Sequence, residues 1–169
     1  MRWQELRLFA TIAVLVVGLD QVSKLLVRTG LSLGDQVQLI PGFLDLVLVK
    51  NYGAAFGILQ GQTALIISIS VLGLLIISVF LHQFPPVNRL GIAAFSLIMG
   101  GTAGNLVDRI RPPHYVVDFI RVHLHPNFSW PAFNVADAAM TIGIVALIVY
   151  FYREGLFRRA HERTHEPGD

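Results

Sequence analysis

The sequence predicts an all-α polytopic membrane protein of four transmembrane helices, with a small β-rich platform built by the outer loops. Three observations predict it. Of 169 residues, 54% are hydrophobic and only 14% are charged, against about 25% charged in a typical soluble domain. Mean hydropathy is +0.61. The apolar residues also gather in four blocks, about Leu8–Val27, Ala64–Leu81, Leu90–Val107 and Asn134–Tyr152. Each block is close to the ~20 residues that cross a ~30 Å hydrocarbon core at ~1.5 Å per residue. None carries the charged face that a soluble bundle requires.

The whole chain, 1–169, therefore reads as one integral membrane domain. Helices fall at about 8–27, 64–81, 90–107 and 134–152, with outer loops at 28–63 and 108–133 and a solvated tail at 153–169. The first block passes through Asp20 and Lys24 without an A-x-A-like site, and three spans follow it, so it reads as a helix rather than a cleavable leader. Asp20 and Lys24 stand i, i+4 on one helix face, the spacing of an internal ion pair. Such a pair neutralises itself and pins the helix to its neighbours, a reading preferred to a direct catalytic role.

In the first outer loop, "DQVQLIPGFLDLVLVKN" carries a Pro-Gly turn signal at 41–42 between two strand-like runs, which predicts a hairpin lying on the membrane surface. The second helix offers only serines as polar groups. The third, "LGIAAFSLIMGGTAGNLV", places Gly91, Gly100, Gly101, Ala103 and Gly104 where small side chains let backbones approach closely in lipid. Its last turn holds Asn105, Asp108 and Arg109. An arginine there suits the helix dipole and the free carbonyls, whereas Asn105 needs a partner.

The second outer loop contains "YVVDFIRVHLHP", again strand-like. Alternation sends Val117 and Phe119 one way and Asp118 the other. The fourth helix opens with Asn134, Asp137 and Thr141, a single stripe at i, i+3, i+7. Asn134 fits a helix N-cap and an acid suits the first turn. Asp137, however, lies on a span among apolar neighbours, which makes it a functional candidate.

Orientation follows from basic residues. Arg2, Arg7, Arg89, Arg153, Arg158, Arg159 and Arg163 lie on one side; Arg28, Lys50, Arg109, Arg111 and Arg121 are spread over two longer loops on the other. Both termini are expected in the cytoplasm. The chain has no cysteine, which excludes disulfides, thiolate metal sites and a cysteine nucleophile. A pI near 9.3 reflects arginines at helix ends and points to no nucleic acid partner.

If Asp118 faces Asp137 across a water-filled notch, the two carboxylates cannot both ionise easily. One keeps its proton while the other acts as general base on water, the chemistry of an aspartic protease. Competing chemistries find less support: there is no H-E-x-x-H and no G-x-S-x-G. His114, His123 and His125 offer a metal-binding alternative, although interfacial histidines more often simply hydrogen-bond. A small transporter or channel, with an ion path through Asp20, Lys24 and Asp137, is the main rival. Against it, the polar residues gather near one membrane face. A non-enzymatic membrane scaffold is the third reading.

With these segments identified, the chain resembles the signal peptidase II family, the bacterial lipoprotein signal peptidases. The resemblance rests on "DQVSK" at 20–24, "NYGAAFG" at 51–57, "GGTAGNLVDRI" at 100–110, "VVDFI" at 116–120 and "FNVADA" at 133–138. It implies a membrane aspartyl endopeptidase of the bacterial inner membrane, with its active site near the periplasmic face. Such enzymes cut diacylglyceryl-modified prolipoproteins before the lipidated cysteine. It makes Asp118 and Asp137 the catalytic pair, with Asn51, Gly101, Asn105, Arg109 and Asn134 lining the site and Asp20 and Lys24 in support. Gly53 and Phe56 fall in a loop expected to cradle the substrate, Phe56 as a lid. The resemblance implies no metal or organic cofactor, a monomer, and inhibition by the cyclic peptide globomycin.

Overall fold

The computed structural model describes residues 2–54, 57–125 and 127–155. Four helices, α1 (Trp3–Gly30), α2 (Thr63–Gln83), α3 (Arg89–Ile110) and α4 (Val135–Arg153), are interspersed with four strands, β1 (Gln36–Ile40), β2 (Leu44–Asn51), β3 (Val116–His125) and β4 (Phe128–Ser129). All four helices are long and apolar enough to cross a membrane. Phe56 and the tail from 156 onward lie outside the described residues.

The helices outrun the apolar blocks, α1 most of all, which begins five residues earlier and ends three later than its block. Hydropathy marks where lipid is tolerated, whereas backbone hydrogen bonding continues into charged ends. At the start of α1, Glu5 accepts from the Arg2 backbone N–H at 2.8 Å and from Arg2 Nε at 2.7 Å. At its other end, Arg28 reaches Asp108 of α3. The fourth helix starts one residue later than its block because Asn134 is its cap.

Among the helices, α3 is central: it packs against α1, α2 and α4. Several of its glycines sit at close approaches, two of them beside the groups that build the site. A Cβ at Gly101 would collide with the Ala136 carbonyl and the Met140 side chain of α4, and one at Gly104 would lie 2.8 Å from Asp20 Oδ2 of α1. The small-residue stripe thus lets α4 and the Asp20 carboxylate close on α3. By contrast, among the described residues α2 packs chiefly against α3 and leaves Ile69, Leu72, Leu75, Ile76 and Val79 exposed, a surface suited to lipid.

At one end of the bundle the strands form an antiparallel sheet in the order β1-β2-β3-β4. The expected hairpin is present, with Phe43 N–H donating to the Ile40 carbonyl across its turn. The short β4 was not expected from the sequence; two residues are too few for a period-2 pattern to register. In the β2–β3 register Val49 opposes Asp118 and Asn51 opposes Val116, after a bulge between Leu46 and Val49. Val117 and Phe119 form a core with Val27 of α1, joined by Leu46, Leu48, Tyr115 and Val135. That core anchors β3 between the end of α1 and the start of α4.

Gly101→Ala is expected to lower stability by about 1–3 kcal/mol, the usual cost of overpacking a tight contact. Gly73→Ala on α2, where a Cβ meets nothing within 4 Å, should change it little. Thermal unfolding of both variants in detergent checks this; equal midpoints would show that the α3–α4 contact is looser than described.

Candidate active site

Strand alternation puts Val117 and Phe119 in the core and turns Val116 and Asp118 to the other side, into a cleft of ≈ 610 Å³. Asp137 reaches the same cleft from the first turn of α4. Backbone pairing sets their approach. The Phe133 carbonyl accepts from the N–H groups of Phe119 (3.0 Å) and Ile120 (2.8 Å), and Phe133 N–H donates back to the Ile120 carbonyl (3.0 Å). The mouth of α4 is thereby stitched to β3 one residue from Asp118.

Asn134 then serves both elements. Its Oδ1 accepts from Asp137 N–H at 2.9 Å, and Asp137 Oδ2 accepts from Asn134 N–H at 3.2 Å, a reciprocal capping box. Its Nδ2 donates to Asp118 Oδ1 at 2.7 Å and to Asn105 Oδ1 at 3.2 Å. The cap expected from sequence and the contacts with Asp118 and Asn105 therefore coexist in one side chain. Asn51 Nδ2 donates to Asp118 Oδ2 at 2.9 Å, and Asn105 Nδ2 donates to Asp137 Oδ1 at 2.8 Å. All four carboxylate oxygens accept from neutral amide donors.

Burial pushes the Asp118 carboxyl up to about 6, and the nearby Asp137 charge pushes the same way. Hydrogen bonds from Asn51 and Asn134, and the more distant Lys24, oppose the rise. A carboxyl so placed holds its proton closer to neutral pH than an ordinary aspartate does, which suits one member of a general acid–base pair.

Behind the cleft, Lys24 Nζ donates to Asp20 Oδ2 (2.7 Å) and Asn105 Oδ1 (2.9 Å). It also lies 2.7 Å from Asp108 Oδ2, an ion pair off the hydrogen-bond axis. The i, i+4 pair is thus present but does not close on itself as expected, because α3 supplies a second carboxylate and an amide. Asp20 Oδ1 meanwhile accepts from Ala136 N–H of α4 at 3.0 Å. Asp20 and Lys24 are fully buried and lie behind the cleft rather than on its wall.

Arg109 lines the cleft, with Nη1 donating to the Asn105 carbonyl (3.2 Å) and Nη2 to the Gly53 carbonyl (3.0 Å). It caps its own helix and also ties down the 51–54 segment, where Gly53 N–H donates to Asn51 Oδ1. Gly101 contributes through the α3–α4 contact and is not on the cleft wall. Thr141 donates to the Asp137 carbonyl and lines the cleft as its stripe predicts.

The three histidines are engaged separately: His123 with Asp45 and Ser129, His114 with the Arg109 carbonyl, and His125 with Asn127 N–H. Sequence reasoning did not find the partnership of Asp108 with Lys24, nor the Trp130–Phe133 wall of the cleft. Asp108 lies i+3 from Asn105, a spacing that was available as a signal.

Residues 12–153 match the family model for signal peptidase (SPase) II. The lipoprotein signal peptidase of Syntrophotalea carbinolica is 39% identical over 95% of this chain and 100% of its own length. That of Staphylococcus aureus is 36% identical over 85% and 86%. A bacterial membrane enzyme solved in meso at 2.3 Å superposes with a TM-score of 0.79 at 32% identity, over 95% of this chain and 94% of that one. A second, at 1.9 Å, gives 0.75 at 35%, over 83% and 90%. Fold and matches together define a multi-pass membrane peptidase of the aspartic type. The chain belongs to the signal peptidase II family.

The raised Asp118 pKa carries a stability consequence. The fold binds this proton more tightly than the unfolded chain does, so stability is greatest below the ordinary value of 3.8 and is lost as pH rises through about 6. A tenfold tighter hold on the proton corresponds to about 1.4 kcal/mol. Asp118→Asn has no such proton to lose, so its thermal midpoint should fall less than that of wild type between pH 4 and about pH 7. Parallel pH profiles for the two proteins would contradict a raised Asp118.

Proposed function

We propose that Asp118 and Asp137 are the catalytic pair of a membrane endopeptidase that removes the signal peptide from diacylglyceryl-modified prolipoproteins, cutting before the lipidated cysteine. One observation carries this reading: two carboxylates, brought from β3 and α4, share one cleft, and each is held by asparagines rather than by a cation. The pair holds one proton between them. The ionised carboxylate takes a proton from water as its oxygen attacks the scissile carbonyl carbon. The protonated partner donates to the carbonyl oxygen, and on collapse the C–N bond breaks and the leaving nitrogen takes up a proton.

Asn105 and Asn134 keep the carboxylates in register, and Arg109, with its guanidinium on the cleft wall, binds substrate carbonyl or lipid oxygens. The lipid anchor of the substrate stays in the bilayer, so the scissile bond arrives at a nearly constant depth. Carboxylates at the mouth of α4 meet it there, and that match supplies much of the orientation. The enzyme works as one integral unit and as a monomer in the bacterial inner membrane. Its sheet end faces the periplasm and both termini face the cytoplasm, consistent with the distribution of arginines. Globomycin competes for the same cleft.

The test is cleavage of a diacylglyceryl-modified prolipoprotein by purified protein in lipid. Asp118→Asn and Asp137→Asn should each lower turnover by roughly 10²–10⁴-fold, the usual worth of a positioned acid or base, while accumulating normally in the membrane. Near-wild-type turnover in either variant removes the dyad from the mechanism.

A further inference from the structure

We infer that Asp108, acting through Lys24, is a positioning residue for the reaction: the two fix which end of the Asn105 amide faces Asp137. This rests on the proposed dyad.

An asparagine amide has an accepting oxygen and a donating nitrogen on a nearly symmetric frame, and only its neighbours decide which points where. Asn105 stands between Asp137 on one side and Lys24 on the other. An ammonium has donors and no acceptor, so it tolerates only the oxygen. Lys24 at 2.9 Å from Asn105 Oδ1 therefore commits Nδ2 to Asp137 Oδ1 at 2.8 Å. Asn134 Nδ2 adds a weaker vote at 3.2 Å, on the same oxygen. Turned over, Asn105 would set its nitrogen against two donors and its oxygen against a carboxylate.

The ammonium must itself be held in place, and α1 alone does not do so. Asp20 is shared, since its other oxygen docks Ala136 N–H of α4. Asp108 supplies the second carboxylate, 2.7 Å from Lys24 Nζ, and projects from the same helix as Asn105. It is buried and steadied at its other oxygen by Arg28 Nη2 at 3.1 Å. Lys24 is thus drawn toward α3 at two points about one turn apart, and one of them is the amide that contacts Asp137. Asp108 is not on the cleft wall, so its influence on the reaction runs through Lys24 and Asn105.

The experiment is a kinetic double-mutant cycle in the prolipoprotein cleavage assay, with Asp108→Asn and Lys24→Met each made in the wild-type and Asn105→Ala backgrounds. Asp108→Asn is nearly isosteric and leaves Lys24 paired with Asp20, so it carries the cycle alone if Lys24→Met fails to accumulate. In the wild-type background each should lower kcat by roughly 10–100-fold, the scale of a small misplacement of a reacting group, with KM changed less than about twofold. In the Asn105→Ala background each should change kcat by less than about twofold, because the amide they orient is gone. Losses that multiply in that background, or wild-type kcat in Asp108→Asn, overturn the inference. Asp118→Asn run alongside separates the two readings. If it is inert while the losses multiply, only the positioning role falls; if it is active, the dyad falls and the positioning role with it.

Discussion

The structure depends on one buried ammonium. Lys24 is 1% exposed, within a bundle whose outer surface is hydrocarbon-like, and a charge in such a place costs several kcal/mol unless it is paired and hydrogen-bonded. Its partners come from two helices: Asp20 from its own, Asp108 and Asn105 from α3. Asp20 in turn takes an N–H from the first turn of α4. Satisfying this single group therefore joins three helices at the end of the bundle where the cleft opens. Gly104 follows from the same need, because a side chain there would occupy the space of the Asp20 carboxylate.

The choice of amides around the two aspartates has a physical reason. A lysine or arginine in direct contact would hold a carboxylate ionised. Neutral amide donors satisfy the oxygens while leaving the pair free to keep a proton. The positive charges stay one step back: Lys24 acts on Asn105, and Arg109 directs its donors to the backbone carbonyls of Asn105 and Gly53. Burial, and then the nearby Asp137 charge, raise the carboxyl on β3.

Much of this was legible in the sequence. The four spans, the hairpin at Pro41-Gly42, the Asp118 alternation and the cap at Asn134 are each encoded within a few residues, by hydropathy, turn chemistry or period. The contacts of Lys24 with α3 were not, because they depend on how far α1 slides along α3, which close approaches at Gly100 and Gly104 help to set, and because Lys24 and Asn105 lie 81 residues apart in sequence. The Asp20–Lys24 spacing suggests a closed pair, and only the packing reveals that Asp108 and Asn105 share the ammonium. The wall at Trp130–Phe133 was hidden for a related reason: it is loop, with no periodicity to mark it, and it is placed by the Ile120–Phe133 bridge.

Two aspartates that act as one unit on one bond should lose their effect together when both are removed. Single-turnover cleavage by the double variant Asp118→Asn/Asp137→Asn, set against each single variant, tests this most directly. The double variant should be no more than a few-fold slower than either single one. Losses that multiply would mean that the two carboxylates serve separate, independent steps.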